Sequence, residues 1–359
     1  MAIVIGKIGA LSDLKSKLNE RGVYSFNSVG EIIAFRDSYH QKISDTNSRH
    51  REIVNSQFIT NAKRLEELSN LISDSVNRHA VELKVEQEEI KRRVGTLNGS
   101  WLGNFFRSIV YGKDIRRFVF INNNWNAAVT ERVQHFIREK NYISSEQELI
   151  QSNYEEAVRR SAFNELKEFE RIQNVVVGLS SEIAGALGEK KVVDEFQRLP
   201  NDYVLINDFQ LRFDPPLFNK KEQDRIYTIQ VDHLLVGPSG IFVVETKNWS
   251  AKSIESLDLR SPVAQINRTS YALYRLLNDG IASGKIHLDS HHWGERKLSS
   301  RSIIVMINAK PKVEMQFVKI LSLNELISFV NYFEKSLSES DVRSIVSFLS
   351  AINHSSVGV

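Results

Sequence analysis

Ile226-Tyr-Thr-Ile-Gln-Val231-Asp232-His233-Leu234-Leu235-Val236-Gly237-Pro238-Ser239-Gly240-Ile241-Phe242-Val243-Val244-Glu245-Thr246-Lys247 holds two apolar, β-branched runs on either side of a turn rich in Gly and Pro. That pattern predicts a hairpin of strands Ile226 to Val236 and Ile241 to Lys247. Side chains alternate faces along a strand, so Ile241, Val243, Glu245 and Lys247 share one face and His233 points away from the face of Asp232. Pairing across the turn brings Asp232 towards the same spot as Glu245 and Lys247. Charges at the end of apolar strands are costly to bury unless they are paired or bind a metal. Two carboxylates and one ammonium in this pattern suit a Mg²⁺ ion that keeps several waters and accepts substrate phosphate oxygens, with Mn²⁺ as a substitute. Lys247 can then orient or help deprotonate a water and stabilise a pentavalent phosphorus centre, which is phosphodiester hydrolysis without a covalent intermediate.

Outward from the hairpin, Ile183, Leu187, Val192, Val193, Phe196 and Leu199 recur at helical spacing up to Pro200, and Tyr203 to Asn207 is a short apolar strand. Pro262 to Leu277 is expected to be helical, Ser302 to Ile307 a buried strand, and Leu323 to Phe333 and Asp341 to Ile352 terminal helices. The order predicts an α/β module. The basic residues Lys220, Lys221 and Arg225 precede the hairpin and could contact phosphates, or form a solvated loop. His287, Asp289, His291 and His292 are metal-binding residue types in a polar stretch without fixed spacing, and a solvated loop is expected there.

Residues 1–178 have a different texture, helical almost throughout. A short helix is expected around Leu11 to Asn19, and the capping box Ser28-x-x-Glu31 opens a long one. Ile53, Phe58, Leu65, Leu68, Ile72, Val76, Leu83, Ile90 and Val94 form a narrow stripe interrupted by His79. A return stripe runs through Leu149, Tyr154, Ala157, Val158, Leu166, Phe169, Ile172 and Val176. Matching stripes predict two long helices packed antiparallel as an imperfect coiled coil. Between them, about residues 95–122, Trp101, Phe105, Phe106, Tyr111, Arg116, Arg117 and Phe118 mix aromatics with cations. That tip is either a small helical subdomain with its own core, or a surface for nucleic acid, membrane or partner, in which case Arg116 and Arg117 would touch phosphates.

Length and composition set the outer limits. At about 150 residues per domain, 359 residues allow roughly two domains. No apolar run approaches the roughly 18 to 20 residues that span a bilayer, and the opening lacks a signal-peptide pattern. The absence of cysteine removes disulfides, thiolate metal sites and Cys nucleophiles, and suits a cytoplasmic setting. Forty-seven basic against 44 acidic residues leave +3, too little to establish nucleic-acid binding by itself. No Walker A or Gly-x-Gly-x-x-Gly sequence suggests ATP hydrolysis or dinucleotide binding.

Gly185-Ala-Leu-Gly188-Glu189, then Leu199-Pro200-x-x-Tyr203, then Gln230 through Trp249 resemble, in family order, the nuclease-related domain called NERD, placed in the PD-(D/E)XK or restriction-endonuclease-like superfamily. The resemblance covers roughly residues 182–307. It implies a nuclease core of helix, mixed β-sheet, helix and strand, with Asp232 and Glu245 as metal ligands, Lys247 as the catalytic lysine, Glu189 as the acid on the leading helix, and Gln265 as a glutamine on the helix after the active strands. The chain departs from the family at Ser250-Ala251-Lys252 and Ser261-Pro262. Glu189 has the alternative of merely favouring a helix N-terminus, and Gln265 that of a surface residue.

The expected protein is thus a helical coiled-coil module, residues 1–178, followed by a NERD nuclease domain with C-terminal helices, residues 179–359. Its expected work is Mg²⁺-dependent DNA cleavage, with DNA ahead of RNA, as in a bacterial anti-phage defence effector whose helical module makes homo-oligomers or binds a partner protein. The alternatives are a non-cleaving nucleic-acid binder and an interaction protein that works through its helical arm.

Overall fold

The computed structural model describes residues 1–95, 109–249, 260–289, 296–312 and 315–357. Trp101, Phe105, Phe106, Ser250 to Lys252, His291 and His292 lie outside the described residues. The chain divides into two compact units: a core of residues 1–37 and 172–359, and an arm of residues 38–171. In chain order the elements are β1 (Ile3–Ile5), α1 (Gly9–Glu20), α2 (Val29–Gly95), α3 (Gly112–Asn123), α4 (Trp125–Thr130), α5 (Gln134–Ser152), α6 (Tyr154–Gly178) and α7 (Ser180–Phe196). They continue as β2 (Val204–Asn219), β3 (Asp224–Gly237), β4 (Gly240–Lys247), α8 (Arg260–Ala282), β5 (Ser300–Met306), β6 (Val318–Ser322), α9 (Leu326–Asn331), α10 (Glu339–Ile352) and β7 (Ser355–Val357). Among the described residues no helix is long and apolar enough to cross a membrane.

The core is a seven-stranded mixed sheet in the order β1-β2-β3-β4-β5-β6, with β7 also paired to β2. β2, β3 and β4 are antiparallel neighbours, whereas β1 joins β2, and β5 and β6 follow β4, in parallel. Both faces are covered. Leu234, Val236, Ile241 and Val243 face α8 and α10 through Ile266, Leu273, Ile345 and Leu349, and on the other side Leu235, Phe242 and Val244 face α7 through Val192 and Phe196. Burial on both faces explains why these strands are continuous apolar runs.

The hairpin turn is tighter than the four-residue motif suggests, because Gly237 pairs with Gly240 and leaves only Pro238 and Ser239 between strands. Gly237 is required: a Cβ there would lie 2.1 Å from the Tyr203 ring. Gly240 adopts φ +123°, a conformation that favours glycine. The Tyr203 hydroxyl bonds Ser239 Oγ at 2.9 Å, and Arg301 donates to the Ser239 carbonyl at 3.1 Å while stacking 3.8 Å from the Phe333 ring centroid.

Residues 1–37 fold differently from expectation. They are grouped with the core and not with the helical module, since β1 extends the sheet through Ile3↔Val204 to Ile5↔Ile206 and Ala2 is buried beside Val192 and Phe196. The unit boundary therefore does not fall at residue 178. β2 also runs on through Pro215 and Pro216, with a register shift between Arg212 and Leu217 that accommodates the two missing N–H donors.

In the arm, residues on α2 meet partners at falling sequence positions, an antiparallel order. Arg49 pairs with Glu165, Arg51 with Glu155, Arg64 with Glu139, Glu82 with Arg132 and Glu86 with Arg117. Val54 packs with Ile150, Ala157 and Val158, and Leu83 with Ile121, Ala128 and Val129. The seam passes through Val54, 2% exposed, and not through Ile53, 44% exposed. The returning side is several helices and not one long helix; at Asn153 the carboxamide oxygen accepts the Glu156 N–H at 3.1 Å, and this cap starts α6 anew. His79 is buried in the seam because its Nδ1–H donates to the Val129 carbonyl at 3.0 Å.

Candidate active site

The active-strand residues are set by β4. Ile241 and Val243 bury in the core, and Glu245 and Lys247 follow at the same two-residue period, with Lys247 Nζ donating to Glu245 Oε1 at 2.7 Å. Glu245 is 5% exposed, so this ion pair sits largely out of water. On β3, carrying the register His233↔Val244 one step further sets Asp232 opposite Glu245. Asp232 is tied to β4 directly: its Oδ2 accepts the Thr246 N–H at 2.6 Å.

Glu189 reaches the same region from α7, and Gly188 explains how. A Cβ at Gly188 would stand 3.3 Å from Thr246, Asn248 and Ile307, so the absent side chain lets the helix lie close against the end of β4. Asn248 holds that contact, donating to the Ala184 carbonyl and accepting from Asn308 at 2.6 Å. Glu189 is buried at 9% exposure, and its Oε2 accepts the N–H of Ala10 in the first turn of α1 at 3.3 Å.

Electrostatics link these acids. Burial, then the charge of Glu245, then that of Glu189, push the Asp232 carboxyl well above the usual carboxylate range, against the opposing pull of the Thr246 N–H and Lys247. Glu189 is pushed up to about 7, chiefly by burial, against the lowering pull of the Ala10 hydrogen bond and with smaller lifts from the charges of Asp208, Glu245 and Asp13. Crowded acids resist ionising together. A bound cation would relieve that repulsion, and carboxylate oxygens are the hard donors that Mg²⁺ prefers. Among the described residues no three His, Cys, Asp or Glu side chains meet as a complete ligand set.

His233 takes no part in this cluster. It is fully buried, its Nδ1–H donates to Asn207 Oδ1 at 2.9 Å, and burial lowers its pKa to about 3, so it stays neutral. Gln265 is exposed on α8 and lines a cleft of 1050 Å³ together with Gln230; Asp232, Glu245, Lys247 and Glu189 do not line it. Lys220 and Lys221 are exposed in the β2–β3 turn, and the Lys221 amine lies 5.7 Å from the Phe317 ring centroid. The Arg225 side chain is exposed and its carbonyl accepts from Arg268. In the arm, Arg117 bonds Glu86, and Arg116 Nε donates to the Gly112 carbonyl of its own helix at 3.0 Å. Asp289 accepts hydrogen bonds from Ser338 and Ser340, which hold its carboxyl below the usual range and assign it to the start of α10.

Sequence reasoning missed Asp208, Asp13 and the Ala10 amide. Asp208 carries a weak signal, a lone acid after the apolar run 203–206, and it adopts a φ of +50° within β2. A backbone N–H leaves no trace in residue identity.

Residues 184–298 match the family model described as the nuclease-related domain, NERD. No curated protein and no solved structure matches the chain.

Proposed function

We propose that the nuclease-related domain of this chain is a metal-dependent nuclease whose active site is Asp232, Glu245, Lys247 and Glu189. The observation that carries the reading is the Glu245-x-Lys247 pair on β4, bonded at 2.7 Å and latched to Asp232 through the Thr246 N–H. The mixed sheet flanked by helices supports a restriction-endonuclease-like core. Asp232 and Glu245 would hold Mg²⁺, or Mn²⁺ in its place, which when bound supplies charge neutralisation at the phosphate and a more acidic water. The Lys247 ammonium, fixed by Glu245, orients the attacking water and places a positive charge beside the developing phosphorane. Glu189, with its pKa near 7, stands close to half-protonated at neutral pH and can hold or release a proton at Oε1 while Oε2 keeps its bond to Ala10. Gln265 belongs to substrate contact from the cleft and not to the acid cluster.

In the same reading the substrate is DNA ahead of RNA, the setting is cytoplasmic, and the arm supplies homo-oligomerisation or partner binding, as a restrained defence effector would need. The test incubates the full chain with linear and circular duplex DNA, single-stranded DNA and RNA in Mg²⁺, Mn²⁺ or EDTA. Asp232→Asn, Glu245→Gln and Lys247→Ala should each slow cleavage by at least about 100-fold while leaving the melting temperature within a few degrees. Cutting by all three variants at the wild-type rate would remove the assignment.

A further inference from the structure

The 1050 Å³ cleft between β3 and the first turns of α8 lies outside the acid cluster but shares both of its supports: Gln230 is two residues before Asp232, and Gln265 is on the helix that buttresses β3 and β4. Its chemistry is mixed in an informative way. Phe317 is 68% exposed at the rim, an uncommon position for a ring of that size, and the Lys221 amine stands 5.7 Å from its centroid. A second hollow of 310 Å³ adjoins the cleft through Met315 and is lined by Lys310, Lys312 and Lys319. Lys310 pairs with Glu325, whereas Lys312 and Lys319 are exposed and have no ion-pair partner among the described residues. Inside the cleft, Arg268 is neutralised by Asp224 at 2.9 Å. Lys221 lies 4.0 Å from Glu222, the longest of these pairs, with both side chains well exposed, so its amine remains open to a second anion. The cations open to a ligand are therefore Lys221 beside the Phe317 ring and Lys312 and Lys319 in the adjoining hollow.

We infer that this cleft and its adjoining hollow hold a single strand of nucleic acid, with an unpaired base on Phe317 and phosphates at Lys221, Lys312 and Lys319. The inference rests on the nuclease reading of the neighbouring site. The ring decides for a single strand: in a duplex the base faces are already stacked on one another, and an exposed aromatic engages a base without an unstacking cost only where that base is free. One lysine beside the ring and two in the adjoining hollow match a backbone that leads away from the stacked base, and the Gln230 and Gln265 amides supply hydrogen bonds without demanding one sequence. The volume suits a few nucleotides, being at the upper end of the roughly 300–1,000 Å³ of ligand-sized sites.

Fluorescence anisotropy tests this with the full chain carrying Glu245→Ala, in EDTA, against a fluorescein-labelled oligo(dT) of 20 nucleotides and a 20-base-pair duplex. Phe317→Ala should weaken binding of the strand roughly 5- to 150-fold, the range for losing one stacked base. Lys221→Glu with Lys312→Glu and Lys319→Glu should weaken it further and flatten the slope of log K against log salt by about 2, at ~0.7 per phosphate contact. Wild-type affinity and slope in both variants would overturn the inference, as would a duplex bound at least as tightly as the strand and indifferent to Phe317→Ala. All four positions are exposed, so an unchanged melting temperature excludes unfolding as the cause. Cleavage plays no part in this readout: failure of the nuclease reading would appear as an uncut substrate, and failure of the cleft as unaltered binding.

Discussion

The arm and the core bury apolar side chains in opposite ways. In the arm one narrow seam, with Val54, Leu68, Leu83 and Ile90 on α2, closes against the returning helices, and a succession of Arg–Glu pairs lies outside it. The core presses both faces of one sheet against helices, so that Phe209, Phe242, Leu235 and Val243 are wholly enclosed. Exposed ion pairs contribute about 0–1 kcal/mol each, whereas a fully buried large apolar side chain contributes roughly 1.5–3 kcal/mol. A site that must keep acids crowded together therefore belongs in the second kind of architecture, where surplus burial can offset their repulsion.

The largest effect expected from this contrast is on Phe209, 0% exposed. Phe209→Ala should remove about 3–5 kcal/mol from the core's unfolding free energy in guanidinium, leaving a separate arm transition in place. If arm and core shift together as one transition, the two units do not stand apart energetically.

An intermediate effect belongs to Glu189. Its native carboxyl keeps its proton to about pH 7, whereas the unfolded one releases it near about 4.5, so the native state binds more protons between those values and stability falls as pH rises through that window. Asp232, also raised, acts in the same direction. Glu189→Gln should recover about 1–3 kcal/mol at pH 7 relative to pH 5, seen as a melting temperature that declines less with pH than the wild type's. An identical decline in both proteins would mean that the acids are not in contention.

The smallest effect lies in the arm's ion pairs. A double-mutant cycle on Arg51 and Glu155, whose side chains are 46% and 61% exposed, should return a coupling below about 1 kcal/mol that fades in 1 M salt. A larger, salt-resistant value would give the arm a polar contribution that its exposure does not suggest.

What the sequence disclosed follows the same division. The hairpin was legible because alternation and a Gly-Pro-Ser-Gly turn are local, and Asp232, Glu245 and Lys247 could be placed from spacing alone. The stripes of the arm were equally local, although one position off at Val54, since a narrow seam tolerates a shift in phase. β1 was not legible: Ile3–Ile5 is three residues long and its partner is β2, far along the chain. β7, paired to Leu211, Arg212 and Phe213, is hidden for the same reason. The short strand expected at Tyr203 to Asn207 runs on as β2 for 16 residues, past two prolines that a register shift absorbs and beyond the apolar run that marks its start. Glu189 could be suspected from its motif, but its hydrogen bond to Ala10 could not, because main-chain donors carry no residue signature.

The pairing of Ile3 with Val204 has a consequence for the newborn protein. At about 5–20 residues per second, a ribosome needs roughly 10–40 s to travel from one to the other. Throughout that interval β1 has no strand to join, while the helices of the arm can close on one another as they emerge. The Ala10 amide meets Glu189 only after α7 has been made, and the acid cluster forms later still, once β3 and β4 follow. The whole arm is thus translated before the pocket of acids can exist, and a nascent polypeptide stalled within the arm has Ala10 and Asp13 but none of Glu189, Asp232, Glu245 and Lys247.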